Sequence, residues 1–232
     1  MKLTPLRINS IVDNEEITIF PVLIETANGN YLVDCGYEET VDELTAGLQS
    51  LGVDLSGLNG IIITHDDIDH LGGLDELKKR NPRLKVYCGS HEKDSVTGVI
   101  KSERLLQAER LLEGMPTRLK PWGLEFIRRL ESIKRCKVDK SLEDNEIFGN
   151  DIVVIHTPGH TKGHISLYIP GERTVITGDA LVIINSKPDI ANPNYTLDMK
   201  KAMQSVEKIW SLKPERLICY HGGVIEDNPY EI

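Results

Sequence analysis

Five side chains that can bind a metal lie within six residues, from His65 to His70. The segment reads Thr-His-Asp-Asp-Ile-Asp-His-Leu-Gly-Gly from Thr64 to Gly73, and it directly follows the apolar run Ile61–Ile63. Carboxylates and imidazoles buried side by side are costly without a cation, because the carboxylates repel one another and take up protons. The pattern therefore predicts a metal-binding loop at the end of a strand. The competing interpretation is a solvated acidic turn.

Three further candidate ligands each follow a short apolar or β-branched run that we predict to be a strand: His160, Asp179 and His221. The ends of strands are where α/β sheets usually place their binding sites. His156 and His164 flank His160, and we predict that they are structural or orient the ligands through hydrogen bonds. The spacing thus predicts one centre assembled from four separate segments of the chain.

Taken in order, these motifs resemble the metallo-β-lactamase fold superfamily over essentially the whole chain. That family carries His-x-His-x-Asp-His, a His after a Pro-Gly turn, an Asp after a Gly and a last His near the C-terminus. The matching residues here are His65, Asp69, His70, His160, Asp179 and His221. The segment Leu32–Gly36 is similar to the family's early strand with its Asp-x-Gly turn. The resemblance implies an α/β fold, a four-layer αββα sandwich with the ligands at one edge between two sheets.

One position departs from the family pattern, because Asp67 stands where a second His is usual. The resemblance assigns the seven ligands to two metals: His65, Asp67 and His160 to one, Asp69, His70 and His221 to the other, and Asp179 to both. With three carboxylates instead of two, the formal charge of two divalent ions together with their ligands falls from +2 to +1. A bound water should then be less acidic, and harder ions should compete better. The alternative that Asp67 points to solvent, leaving a single metal, is open at this stage.

The resemblance implies a dinuclear metal-dependent hydrolase that uses a metal-bound hydroxide on a small ester, lactone, thioester or phosphoester. Two divalent ions are the expected cofactors, with zinc favoured and iron or manganese as alternatives. Asp69 is the predicted catalytic residue, because a carboxylate at the metal can orient the attacking group or carry its proton to the leaving group. Two other functions are open: a diiron redox protein of the flavodiiron type, and a metal-binding protein without turnover.

Composition restricts the class of protein and its partners. The 232 residues can form one domain with a large core, and ligands that must converge from residues 65 to 221 favour a single domain over 1–232. A formal net charge of −9 argues against nucleic acid as a partner. No apolar run approaches the roughly 18 residues that cross a membrane, and the N-terminal segment lacks signal-peptide features. We therefore expect a cytoplasmic protein that acts on a small-molecule substrate, in an oligomeric state that the sequence does not indicate.

Hydrophobic alternation predicts strands in both halves of the chain, and capping residues mark the helix ends. The predicted strands are 6–12, 18–26, 31–34, 61–64, 84–88, 152–156, 164–169, 174–177 and 216–220. The predicted helices are 40–51, 74–80 and 197–212. Residues 92–140 interrupt this pattern with a helical insertion. Ser102 is predicted to cap its first helix, which Gly114 ends, and the second is predicted over 124–136.

The insertion supplies three of four candidate substrate-pocket residues. They are Met115, Trp122 and Phe126, because insertions at this place shape the pocket in similar proteins, and the fourth is Tyr195 from a later irregular segment. The alternative is that these side chains only pack the insertion onto the body of the protein. Seven basic residues lie between Arg118 and Lys137. They either form a solvated helix face or attract an anionic substrate.

Overall fold

The computed structural model describes residues 1–12 and 15–226. Most of their strands form two six-stranded sheets. The strands, in chain order, are β1 (Lys2–Pro5), β2 (Ile8–Val12), β3 (Glu15–Ile19), β4 (Val22–Thr26), β5 (Gly29–Val33), β6 (Leu58–Ile63), β7 (Lys85–Gly89), β8 (Lys140–Leu142), β9 (Ile147–Phe148), β10 (Ile152–His156), β11 (Ile165–Ile169), β12 (Thr174–Gly178), β13 (Val182–Ile184), β14 (Lys187–Asp189), β15 (Arg216–Cys219) and β16 (Gly223–Ile225). The α-helices are α1 (Val41–Ser50), α2 (Ile68–Leu71), α3 (Leu74–Arg80), α4 (Lys93–Val96), α5 (Glu103–Gly114), α6 (Lys120–Ser132) and α7 (Met199–Ser211).

Parallel strand pairs decide where the candidate ligands lie. The first sheet has the order β1-β4-β5-β6-β7-β8, and the second has the order β16-β15-β12-β11-β10-β9. β5 pairs with β6 in parallel, and β12 pairs with β15 in parallel. Neighbouring parallel strands end at the same edge of a sheet. The segments after β5 and β6 therefore meet at one edge of the first sheet, and those after β12 and β15 meet at one edge of the second.

Three layers of buried apolar side chains hold the sheets and helices together. β6 shows the alternation that produces them: Ile62 packs between the two sheets, whereas Ile61 and Ile63 pack on the outer side of the first sheet with α1 and α3. On the outer side of the second sheet, Ile209 of α7 is fully buried against Leu217. The predicted four-layer αββα sandwich is confirmed.

The structure corrects several predicted element boundaries. The strand predicted over 18–26 is two strands, because Pro21 lacks an N–H and the chain leaves the β2–β3 hairpin there to enter the first sheet as β4. Six strands were not predicted: β1, β8, β9, β13, β14 and β16. They have two to four residues each, too few to show an alternating pattern.

The insertion folds as a pair of packed helices. Ser102 caps α5 as predicted, since its Oγ accepts a hydrogen bond from the Leu105 N–H at 3.1 Å. α6 begins at Lys120, four residues before the predicted start, because Pro121 lies in its first turn, where a missing N–H costs nothing. The two helices bury Leu105 and Ile127 against each other.

Several basic residues of the insertion pair with acids on the body of the protein. Arg129 contacts Glu39 at 3.1 Å, Lys134 contacts Glu38 at 2.5 Å, and Arg135 contacts Asp66 at 3.2 Å. These ion pairs dock the insertion onto the loops near the first sheet. They favour a structural role for the basic residues over the attraction of an anionic substrate.

Within residues 1–12 and 15–226, no helix has both the length and the apolar composition needed to cross a bilayer.

Candidate metal centre

The predicted ligands converge in three overlapping groups, each with ligand atoms within 4.8 Å of one another. The groups are His65, Asp67 and His160; His65, His70 and Asp179; and Asp69, His70 and His221. We call the first group the first position and the last group the second position. Asp179 lies between them: its Oδ2 is 3.5 Å from His160 Nε2 and 3.4 Å from His221 Nε2, and its Oδ1 is 3.4 Å from His70 Nε2.

Two glycines allow the loops of the second sheet to carry their ligands here. Gly159 has a φ of +138°, and a Cβ on it would lie 2.2 Å from the backbone nitrogen of Ala202 in α7. Gly178 has a φ of +54°, and a Cβ on it would lie 2.7 Å from His164 Nε2. Only glycine suits both backbone conformations and both close approaches. The Pro-Gly and Gly-Asp elements of the sequence motifs are thus steric requirements of the site.

Several buried nitrogen and oxygen atoms of the candidate ligands lie close together at the centre without forming hydrogen bonds. His65 Nε2, His70 Nε2 and Asp179 Oδ1 have no hydrogen-bond partner among the described residues. Leaving a buried polar group unsatisfied costs about 1–3 kcal/mol, so their convergence needs an explanation. A divalent cation accepts lone pairs from imidazole and carboxylate at once. The residues present therefore fit a pair of divalent ions.

Asp67 points into this cluster. Its Oδ2 lies 3.0 Å from His160 Nε2 and 3.6 Å from His65 Nε2, and the residue is 8% exposed. The alternative in which Asp67 faces solvent is wrong. The neighbouring Asp66 lies outside the ligand groups, because its carboxylate accepts a hydrogen bond from Arg135.

Asp34 orients His70 from behind. Its Oδ2 accepts a hydrogen bond from His70 Nδ1 at 2.8 Å, which directs Nε2 to the centre. The same carboxylate accepts hydrogen bonds from the Thr64 N–H at 2.8 Å and from Thr64 Oγ1 at 2.7 Å. Asp34 has a φ of +58°, a conformation that Asp tolerates better than most residues. The early motif of the sequence therefore positions a ligand.

The two histidines that flank His160 have different roles. His164 Nε2 accepts a hydrogen bond from the Asp179 N–H at 2.9 Å, and its Nδ1 lies 2.8 Å from Thr157 Oγ1, so it positions the central ligand. His156 contacts no ligand; its Nε2 lies 3.2 Å from the Lys162 carbonyl oxygen. His164 orients a ligand, as predicted, and His156 is structural.

A buried arginine that was not predicted binds Asp67. Arg104, the second residue of α5, donates from Nε to Asp67 Oδ1 at 3.1 Å and from Nη2 to Asp67 Oδ2 at 2.7 Å. Its guanidinium offsets the extra negative charge that Asp67 brings to the centre. The expectation that a bound water is less acidic is therefore weakened. The one sequence hint is that a cation in the first turn of a helix opposes the helix dipole. That hint does not identify a partner 37 residues away.

The charges of the centre are strongly coupled. Burial opposes a charge on His70, but Asp179, Asp69 and Asp34 together raise its pKa well above the ordinary value. Burial likewise opposes a charge on His221, yet Asp179 and Asp69 raise its pKa to about 10. For Asp179, burial favours the neutral form, but His221 and His70 hold its pKa well below the ordinary range. Before a cation binds, protons on His70 and His221 therefore balance the carboxylates.

We expect metal uptake to release protons and to strengthen as pH rises. A protonated imidazole cannot bind a metal, and both histidines have pKa values raised above the usual value of about 6.5. At a pH between about 6.5 and about 10, the pKa of His221, this imidazole is protonated in the metal-free protein, so metal binding must displace its proton. At pH 7.5 zinc should displace about two protons per chain, measured by calorimetry in buffers of different ionisation enthalpy. His156→Gln should not change this number, and uptake that is independent of pH would contradict the prediction.

A cavity of about 470 Å³ opens above the centre. Its floor carries Asp67, Asp69, His160, Asp179 and His221, and its walls are largely apolar, with Ile68, Phe126, Leu130, Val182, Ile183 and Ala191. Of the four candidate substrate-pocket residues, Phe126 and Tyr195 line this cavity. Met115 and Trp122 do not.

The helical geometry of the insertion explains this correction. Trp122, Phe126 and Leu130 lie four residues apart on one face of α6, but only the last two reach the cavity. Trp122 is one turn farther out, where its side chain is 60% exposed and its ring stacks on Phe126. Met115 packs against Gly123, so it joins the two helices instead of facing the substrate space.

Comparison with known proteins agrees with this geometry. The chain matches the sequence profile of the metallo-beta-lactamase superfamily over residues 18–221. The probable metallo-hydrolase YflN of Bacillus subtilis is 31% identical over 177 residues, which are 71% of this chain and 64% of YflN. The chain thus spans less than two thirds of that relative.

Solved structures share the same sandwich. The metallo-beta-lactamase family protein TTHA1429 of Thermus thermophilus superimposes with a TM-score of 0.71 at 22% identity, covering 98% of this chain and 75% of its own. TTHA1623, solved in a di-iron-bound form, has a TM-score of 0.63 at 24% identity and covers 92% and 95%. With the profile match spanning both sheets and every predicted ligand, the chain belongs to the metallo-beta-lactamase superfamily.

Proposed function

We propose that this chain is a metal-dependent hydrolase of a small carbonyl substrate, an ester, lactone or thioester. The observation that carries the proposal is the position of the unpartnered imidazole and carboxylate atoms. They belong to ligand groups whose other members, Asp67, Asp69, His160 and His221, lie with Asp179 at the floor of a cavity whose walls are mostly apolar. Sites of this kind, concave and apolar with a few converging polar groups, are typical of small-molecule binding.

The seven ligands would hold two divalent ions, with Asp179 shared between the first and second positions. When bound, the ions supply a Lewis acid for the carbonyl oxygen and an acidified water. Asp69 lines the cavity, and its Oδ2 lies 3.0 Å from His221 Nε2. Burial favours its neutral form, but His70 and His221 lower its pKa below the ordinary value, so it is ionised at neutral pH. It can accept the proton of the attacking water and pass it to the leaving oxygen or sulfur.

The cavity favours a neutral carbonyl over a phosphoester. Among the described residues that line it, Arg104 is the one lysine or arginine. Its nitrogens already donate to Asp67, Gln107 and the Tyr195 carbonyl oxygen. The anionic oxygens of a phosphodiester would therefore find no protein cation to bind, whereas an acyl group can pack on Phe126 and Leu130.

The donor set does not select one metal. Imidazole and carboxylate together suit zinc, iron and manganese. Cys219 is buried in the apolar cluster under α7 and is not a member of the ligand groups. The di-iron form of TTHA1623 is a further reason to test iron. We favour zinc, with iron and manganese as the alternatives.

The test combines elemental analysis with a substrate panel. Protein reconstituted separately with zinc, manganese and ferrous iron is assayed with p-nitrophenyl acetate and butyrate, lactones, an acyl thioester and bis(p-nitrophenyl) phosphate. We expect hydrolysis of the carbonyl substrates that disappears on chelation and returns with metal. Preference for the phosphodiester would contradict the carbonyl assignment. Oxygen consumption by the iron form without hydrolysis would instead support a diiron redox function.

Phe126 tests whether the apolar wall selects the acyl group. Phe126→Ala removes an aromatic surface from the cavity, so longer acyl chains lose contacts at about 0.8 kcal/mol per buried methylene. We expect the ratio of kcat/KM for butyrate over acetate esters to fall by about 3- to 10-fold. The matched control is Leu124→Ala on the same helix, which is 43% exposed and does not line the cavity. An unchanged ratio in Phe126→Ala would place the acyl group elsewhere.

A further inference from the structure

Arg104 shares an oxygen with the first position. Asp67 Oδ2, the atom nearest to His160 Nε2 and His65 Nε2, is the same oxygen that accepts from Arg104 Nη2 at 2.7 Å. Nη2 also lies 3.5 Å from His160 Nε2 itself. A guanidinium therefore lies against two of the three ligand atoms of the first position. Among the described residues, no lysine or arginine forms an ion pair with Asp69 at the second position, where its partners are the candidate ligands His70 and His221.

The guanidinium is held there by more than Asp67. Arg104 Nη1 donates to Gln107 Oε1 at 3.0 Å, and Nη2 donates to the Tyr195 carbonyl oxygen at 2.5 Å. The side chain is only 4% exposed. These contacts come from α5 and from the segment before α7, so they keep the charge in place if Asp67 turns towards a metal. A cation entering the first position therefore meets a fixed positive charge.

The two positions consequently differ in charge. At the first position, Arg104 cancels the charge of Asp67, and the other two ligands are the imidazoles of His65 and His160. At the second position, the charge of Asp69 is left for the ion, because metal binding removes the protons of His70 and His221. Asp179 is shared, so it does not distinguish the positions. Like charges close together inside a protein repel strongly, because the medium there screens them poorly.

We infer that Arg104 competes with metal for Asp67. The centre therefore fills in order: the second position binds its ion first and tightly, and the first position binds its ion last and weakly. Arg104 is a positioning residue in this scheme, since it acts through Asp67. The inference rests on the metal centre of the proposed function. It adds that the helical insertion controls how many ions the centre holds at a given metal concentration.

The order in which the two positions fill is tested first with Arg104 in place. Zinc is titrated into metal-free protein in competition with a chromogenic chelator, and the two binding steps are assigned with His65→Ala and His221→Ala. We expect His65→Ala to lose the weaker step and His221→Ala to lose the tighter one. The reverse assignment, or two steps of equal affinity, overturns the inference. A chain that binds no zinc at all would instead overturn the proposed function.

Removal of the guanidinium tests its role directly. Arg104→Gln keeps a long polar side chain but removes the charge, and we expect the weaker zinc step to tighten by about tenfold or more. A residue that merely oriented Asp67 would give the opposite result, a weaker step. The matched control is Arg135→Gln, which removes the same charge from the adjacent Asp66, outside the ligand groups. Its zinc affinities should stay within about twofold. Unchanged or weakened binding in Arg104→Gln, with folding confirmed by circular dichroism, overturns the inference.

Discussion

Replacement of Asp179 by asparagine is expected to remove at least one metal ion from the centre and to reduce hydrolysis by about 10³-fold or more. Asp179 is the one described residue whose carboxylate lies within 3.5 Å of ligands from both positions, His160 on one side and His70 and His221 on the other. Asparagine has nearly the same size but carries no charge and only one oxygen. The change therefore removes the ligand shared by both ions while it preserves the packing.

Metal content and activity are both measured for this variant. Elemental analysis of Asp179→Asn should give about one metal per chain or fewer, with hydrolysis of the best ester close to background. The control is Asp151→Asn, an exposed carboxylate in the turn before β10. Thermal unfolding separates loss of metal from loss of fold. Full metal content and activity in Asp179→Asn would contradict both the ligand assignment and the proposed hydrolase.

Replacement of Asp34 by asparagine is expected to weaken metal binding by about 10- to 100-fold although Asp34 is not a ligand. Asp34 is 1% exposed and accepts three hydrogen bonds, from the Thr64 N–H, from Thr64 Oγ1 and from His70 Nδ1. An asparagine has one acceptor oxygen, so its NH₂ group must face one of these donors. His70 then loses the contact that directs its Nε2 to the centre.

This variant should also lower the free energy of unfolding by about 1–3 kcal/mol, because a buried donor is left without an acceptor. Backbone strain should not contribute, since asparagine tolerates the left-handed φ of this position as well as aspartate does. Urea unfolding and chelator competition are the measurements. Asp54→Asn, an exposed carboxylate ahead of β6, is the control. If Asp34→Asn bound zinc as tightly as the unmodified protein, the orientation of His70 would not depend on Asp34.

The insertion contributes side chains both to the candidate metal centre and to the cavity above it. α6 supplies Phe126 and Leu130 to the cavity wall, and α5 supplies Arg104 to Asp67. Arg104 also donates to the Tyr195 carbonyl oxygen, and its guanidinium lies 5.9 Å from the centre of the Tyr195 ring. A change in the packing of the two helices would therefore affect metal affinity and substrate selectivity together.

The sequence by itself determined the fold class and the candidate ligands. Each ligand lies directly after a run of apolar residues, and such runs are local signals that do not depend on the rest of the chain. The Pro-Gly element before His160 and the Gly-Asp element at Asp179 are also local, because they report a backbone conformation at one residue. The order of these motifs resembles the metallo-β-lactamase superfamily, and that resemblance implied the sandwich and the position of the candidate ligands at one edge.

Only the tertiary structure decided the direction of Asp67, its pairing with Arg104 and the limits of the cavity. These depend on contacts between segments that are far apart in sequence, and on how two insertion helices pack. The sequence prediction began the second insertion helix at residue 124, which left Trp122 outside it, and it could not show that the cavity ends between Trp122 and Phe126. Arg104 looked like any charged residue of an exposed helix, because nothing in the sequence around a side chain encodes which distant charge it will meet when both are buried.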